Sequence, residues 1–169
     1  MKKFILSALA VLCTMQLGAK DYNASLFGIK SNGTTLNTSS IQKAIDYIHS
    51  EGGGRLVFYV GRYLTGSINL RSNVTIQLNE GAVLLGSTNP YDYPIDSSYC
   101  ALVRAVKVDN VAITGKGVID GQDREASYNL LDQIQKGIIN DPAKYDRPDG
   151  SRRARTLYFR ECKDVTIDG

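Results

Sequence analysis

His49 is the only histidine in the sequence, and it limits the chemistry the chain can attempt. Zinc centres built on several imidazoles are excluded, and a nucleophile–imidazole–carboxylate triad would depend on that one residue. Acid–base work by paired carboxylates needs two acids brought face to face. The sequence contains no Asp-Asp pair, and Asp120 and Asp168 each stand alone before a glycine. Arg147, Arg152, Arg153 and Arg155 form a local basic cluster. Such a cluster suits an acidic ligand, but a solvated loop with scattered arginines is the plainer reading. With 20 Lys and Arg against 17 Asp and Glu the formal charge is +3, too balanced to predict nucleic-acid binding. At 43% hydrophobic and 22% charged residues, 169 residues suit one domain with a real core and exclude a disordered or collagen-like chain.

The elements that must position these groups begin with one helix. Ile41, Ala44, Ile45 and Ile48 fall at i, i+3, i+4 and i+7, the apolar stripe of an amphipathic helix over about 39–51. Ser39 and Gln42 have capping-box spacing, and Gly52-Gly53-Gly54 supplies left-handed residues to end it. His49 falls in the last turn, where its charge suits the helix dipole, and this structural role is preferred to a catalytic one.

Beyond the helix the period shortens. Runs at 55–60, 67–70, 74–78, 82–85, 101–108, 111–114, 118–119 and 156–159 read as strands, with glycines between them. Ser72-Asn73-Val74-Thr75-Ile76, Asp109-Asn110-Val111-Ala112-Ile113 and Lys163-Asp164-Val165-Thr166-Ile167 are copies of one unit. Asn or Asp stands before Val-x-Ile, so two apolar side chains share one face. The irregular spacing suits solenoid coils joined by loops of unequal length, and a parallel β-helix fits. A β-sandwich is the alternative. It predicts hairpin turns between strands, yet the one Asn-Gly, Asn32-Gly33, lies upstream of the helix. Residues 122–155 interrupt the ladder, with Tyr128, Leu131 and Ile134 as a weak helical pattern.

At the front, Lys2-Lys3 and the apolar run Phe4 to Cys13 read as a secretory signal peptide over 1–19, removed after Ala19. The run is short of the ~20 residues a spanning helix needs, and no later run replaces it. A secreted or periplasmic protein with no membrane span after signal removal is expected. Cys100 and Cys162 would remain, and their spacing alone establishes no bridge. The sequons beginning at Asn23, Asn32, Asn37 and Asn73 are read as chance beside a bacterial-looking leader.

Leu26-Phe27-Gly28-Ile29, Ser40-Ile41-Gln42-Lys43-Ala44-Ile45, Gly52-Gly53-Gly54-Arg55-Leu56-Val57-Phe58 and Gly61-Arg62-Tyr63 resemble the opening of the pectate-lyase-superfamily β-helix. Leu70-Arg71-Ser72-Asn73-Val74, Gly81-Ala82-Val83-Leu84 and Gly115-Lys116-Gly117-Val118-Ile119-Asp120-Gly121-Gln122 are similar to the polygalacturonase-like glycoside hydrolases of family 28. The resemblance covers about 22–169. Tyr59-Val60, where the family commonly has proline, and Ser31-Asn32-Gly33, where Gly-Asp-Gly is common, depart in turn detail only.

The resemblance implies an all-β fold, a right-handed parallel β-helix over 20–169 with the helix capping its N-terminal end. It implies inverting hydrolysis of galacturonic-acid-containing polysaccharide by a monomer, with no metal or cofactor. The partner is an acidic plant polysaccharide such as pectin, polygalacturonate or rhamnogalacturonan, not nucleic acid. The family's Asn-x-Asp, Asp-Asp, Gly-His-Gly and Arg-x-Lys motifs have no counterpart here, so no catalytic, cofactor or metal residue is assigned. Asp120 and Asp168 are placed at coil corners and given no catalytic role. Three or four coils of about 20–25 residues fit the length. The chain is thus expected to be an N-terminal portion, incomplete as a solenoid and inactive alone. A β-helical polysaccharide lyase and a non-catalytic carbohydrate-binding or adhesin-like β-helix are the other readings.

Overall fold

The structure, a computed structural model, describes residues 19–93, 100–140 and 154–169. The expected leader through residue 18, and Arg147, Arg152 and Arg153, lie outside those residues. The chain opens with β1 (Asp21–Asn23) and α1 (Thr38–Ser50). A first coil follows as β2 (Gly54–Phe58), β3 (Gly61–Thr65) and β4 (Ile68–Asn69). The second coil is β5 (Val74–Leu78), β6 (Ala82–Gly86) and β7 (Ala101–Val106). The third is β8 (Asp109–Thr114), β9 (Val118–Asp120), the helix α2 (Asp123–Gln135) and β10 (Arg155–Arg160). β11 (Lys163–Asp168) continues the stack.

Every strand pairs with its counterpart one coil away, and every pairing is parallel. Three sheets result, in the orders β1-β2-β5-β8-β11, β3-β6-β9 and β10-β7-β4. This is a right-handed parallel β-helix. A sandwich of antiparallel hairpins is ruled out, because every pairing is parallel and from β2 onward successive strands turn corners onto different sheets.

The repeat is the register. Leu56 pairs with Ile76, Ile76 with Ile113, and Ile113 with Ile167, one apolar side chain per coil in a single inward column. Leu56, Ile76 and Ile113 are buried. Complete burial of such a side chain contributes about 1.5–3 kcal/mol, and only a neighbouring coil can bury it. On β11, Val165 and Ile167 hold the same inward positions but are exposed. Coil size is unequal. Gly54 pairs with Val74, 20 residues on, whereas Thr75 pairs with Ala112 and Val111 with Val165, steps of 37 and 54.

Asn73, Asn110 and Asp164 stand at one corner with φ of 66°, 54° and 51°, and Gly53 precedes β2 with φ of 116°. The polar residue ahead of each Val-x-Ile is there because Asn and Asp enter the left-handed region at lower cost than other side chains. Stacking adds to this, with the Asn110 Nδ2 donating to Asn73 Oδ1 at 2.9 Å and the Asp109 amide to Ser72 Oγ at 3.0 Å.

α1 buries Ile41, Ala44, Ile45 and Ile48 against the first coil. It closes in a Schellman arrangement, the amide of Gly53 donating to Ile48 O at 2.9 Å and that of Gly52 to His49 O at 3.1 Å. A Cβ on Gly53 would stand 2.5 Å from Asn73 O, so only glycine fits beneath the next coil. The start differs from the capping box expected at Ser39 and Gln42. Asn37 is the N-cap without a side-chain bond to the helix, its amide instead joining Lys30 N–H, at 2.8 Å, and Lys30 O, at 2.9 Å. Gln42 reaches to β4, accepting from the Asn69 amide at 2.8 Å and donating to Asn69 O at 3.0 Å. The glutamine thus pairs both backbone groups of Asn69 on the edge of β4.

Other expectations shift locally. The run at 55–60 ends at Phe58, with Tyr59 and Val60 turned outward at the corner. β3 over Gly61–Thr65 falls between the runs read as strands. On α2, Leu130 and Ile134 face inward and pack with Ile139, leaving Tyr128 exposed and Leu131 half-buried. That face is set by contact with the loop beside it and not by the strongest apolar periodicity.

Candidate functional site

The corner between the β3-β6-β9 sheet and the β4-β7-β10 sheet carries the extra length of the longer coils. The first coil crosses it from Thr65 to Ile68, the second from Gly86 to Ala101 and the third from Asp120 to Arg155. Insertions gathered on one edge of a solenoid build a rim beside its outer faces, the usual place for a binding surface.

The described part of the second crossing is tightly held. Asn89 Oδ1 accepts from the Tyr91 amide at 3.2 Å, capping a 3-10 turn over Pro90–Asp92. The Ser87 hydroxyl accepts from the Asn89 amide and donates to the Asp92 carboxylate. The loop lies so close to the first coil that a Cβ on Gly66 would meet Asp92 O at 2.2 Å. Tyr93 is buried and its hydroxyl donates to Ser87 O at 2.8 Å. Burial, then the charges of Asp92 and Cys100, push its ionisation well above the ordinary phenol range. From the third crossing, Asn129 of α2 donates to Thr88 O at 2.9 Å, fastening one insertion to the other. Between them lies a cavity of about 30 Å³ lined by Ser87, Thr88, Gly121, Asp123, Ser127 and Leu130. It has room for water and none for a sugar ring.

The residues singled out in the sequence are not brought together. Asp120 ends β9, and its carboxylate accepts from the Gln122 amide at 2.9 Å, fixing the turn into α2. Asp168 ends β11 opposite Thr114 on the five-stranded sheet, a different face. Arg155 opens β10, exposed and in register with Ala101. His49 is exposed on α1 with Nδ1 2.8 Å from Ser72 O, so this nitrogen donates and ties the helix to the first corner. The thiols of Cys100 and Cys162 are not joined to each other. Among the described residues no group of three or more His, Cys, Asp or Glu is arranged to hold a metal. Sequence reasoning missed the loop at 87–93 as a built element. Its signal was Asn89-Pro90, a cap followed by the residue that best opens a helical turn.

Fold and rim together define a parallel β-helix with its variable segments collected along one edge. No family model matches the chain. The exo-poly-α-D-galacturonosidase of Dickeya chrysanthemi is 38% identical over 133 residues, 68% of this chain and 22% of that enzyme. A putative glycosyl hydrolase from Parabacteroides merdae superposes with a TM-score of 0.78 at 47% identity, over 88% of this chain and 64% of that one. The family 28 exopolygalacturonase of Yersinia enterocolitica gives 0.68 at 25% identity, over 88% of this chain and 34% of that one. The chain is polygalacturonase-like, similar in sequence and fold to family 28 glycoside hydrolases. It spans about a quarter of the length of the curated relatives it matches.

Proposed function

We propose that the chain forms part of a secreted or periplasmic pectin-degrading glycoside hydrolase, a monomer that cleaves galacturonic-acid-containing polysaccharide with inversion. The 169 residues alone do not cleave it. The observation carrying this reading is the 38% identity over 133 residues to an exo-poly-α-D-galacturonosidase. Inversion needs one carboxylic acid at the leaving oxygen and a carboxylate base at the attacking water, opposed across roughly 6.5–9.5 Å. Asp120 is committed to its own turn and Asp168 lies on another sheet, so neither pair member is assigned here. In this reading further coils supply the pair, while these coils supply the capped start of the solenoid and one wall of the binding face.

The test is release of reducing ends from polygalacturonate, with the configuration of the new end read by proton NMR. The chain alone releases none; a protein continuing it through carboxylate-bearing coils releases ends of inverted configuration. Cleavage by the 169 residues would overturn the claim of inactivity. Ultraviolet-absorbing unsaturated ends would assign a lyase, and binding without cleavage by the extended protein a non-catalytic module. Light scattering tests the monomer.

A further inference from the structure

Asn32-Gly33, the one Asn-Gly of the chain, forms no hairpin and takes no part in the proposed hydrolysis. In such a pair the backbone nitrogen of the glycine can attack the side-chain amide before it, since no Cβ hinders the approach. A bond forms between Cγ and the Gly33 nitrogen, the Cγ–Nδ2 bond breaks, and the proton lost by the Gly33 nitrogen leaves with ammonia. Water then opens the five-membered succinimide, at Cγ to give aspartate or at the main-chain carbonyl carbon to give isoaspartate. We propose that Asn32-Gly33 is a latent modification site. The fold holds the side-chain amide ready for attack, withholds the attacking nitrogen through one hydrogen bond to β3, and accommodates aspartate as a product.

The group to be attacked is in place. Asn32 is exposed, and its Oδ1 accepts from the amides of Thr34 at 3.1 Å and Thr35 at 2.9 Å. Two N–H groups on that oxygen draw charge from Cγ and stabilise the negative charge that gathers on Oδ1 during attack. The leaving nitrogen, Nδ2, donates to Thr35 Oγ1 at 2.9 Å. The attacking nitrogen is occupied. Gly33 N–H donates to Arg62 O at 2.8 Å and the Arg62 amide donates to Ser31 O at 3.1 Å, so this peptide is clamped in a parallel bridge to β3. Arg62 is itself paired with Val83 of the second coil, which keeps β3 in place if the segment before α1 moves. Gly33 is half-buried with φ of 73°, and a Cβ there would stand 3.2 Å from Arg62 Cβ. While the bond to Arg62 lasts, base cannot take the Gly33 proton and the nitrogen cannot turn toward Cγ. That bond is the gate, and its local opening sets the rate.

The two products differ in fit. Aspartate keeps both acceptor contacts to the Thr34 and Thr35 amides. Its second oxygen accepts from the Thr35 hydroxyl, which has only to turn. Isoaspartate routes the main chain through the side chain, lengthening it by a methylene, and so carries the Gly33 nitrogen out of register with Arg62 O. A chain that has opened here is therefore marked permanently, reclosed as aspartate or held open as isoaspartate.

Peptide mapping by mass spectrometry tests this, on the full chain kept in mildly alkaline buffer with and without unfolding urea. Conversion at residue 32 is expected to be slower in the folded chain by about 10-fold or more. Its rate in the folded chain should rise with sub-denaturing urea in step with hydrogen exchange of the Gly33 amide, since one opening serves both. Asn32→Asp, a direct copy of one product, should leave the melting temperature and the protection of the Gly33 amide unchanged. Equal rates in the folded and unfolded chain, or conversion in neither, overturn the latent site. Folded-state conversion that does not follow Gly33 exchange overturns the gate, and a clear loss of melting temperature in Asn32→Asp overturns the accommodation of aspartate.

Discussion

Asn73, Asn110 and Asp164 show how much a single corner position decides. Each bends the chain through a left-handed residue, and the two asparagines also bond to each other. Asn110→Ala should lose both contributions, about 1–2 kcal/mol of conformational preference and about 0.5–1.5 kcal/mol of hydrogen bond. Asn110→Gly should lose mainly the second, and urea unfolding of the two variants separates them. Tyr93 gives a test in pH. Its folded ionisation lies above that of the unfolded chain, because burial disfavours the phenolate. The stability it contributes is therefore full below the unfolded phenol value of about 10 and is lost as pH rises from there through the folded value. Tyr93→Phe should lower stability modestly at neutral pH and flatten the alkaline decline in melting temperature. The corner residues were legible in the sequence because Asn or Asp before Val-x-Ile recurs. Tyr93 was not, since nothing local says that a loop tyrosine will be buried beneath its own turn.

At the level of elements, α1 acts as a lid on the first coil, and two different chemistries hold it. Its apolar stripe was readable directly, because four side chains at helical spacing have only one face to bury. The polar half was misread. Gln42 has the spacing of a capping residue, but its real partner, Asn69, lies 27 residues away on β4. Long-range partners of this kind leave no trace in local spacing. Ile45→Ala should cost about 2–5 kcal/mol through the cavity it leaves. Gln42→Ala should cost about 1–3 kcal/mol by leaving two backbone groups of β4 unpaired. Hydrogen exchange distinguishes the two: the glutamine variant should speed exchange at Asn69 selectively, whereas the isoleucine variant should loosen the whole helix.

For the molecule as a whole, the spacing between copies of the repeat proved to be the pairing register itself, which is why the fold class was legible without any one strand being strongly marked. The first coil was harder to see. Gly53 stands where later coils have Asn or Asp, and Gly54 where they have Val, because Asn73 of the next coil crowds the first position and Lys20 O with the Tyr22 ring the second. The rim was less legible still. A rim is made by where insertions emerge in space, which no local motif records.

The unequal steps of 20, 37 and 54 residues also bear on how the molecule comes into being. Closing a loop grows costlier only with the logarithm of its length, so going from the shortest step to the longest adds about 0.9 kcal/mol. Replacing the segment between β9 and β10 with a short flexible link should accordingly leave the pairing of β8 with β11 intact, as judged by amide protection. Kinetically the steps rank the coils. The β2–β5 pairing, nearest in sequence and already roofed by α1, closes soonest, and pairings across the long excursions wait for it. Assembly should therefore proceed from the helix end outward, with the rim among the last parts to set.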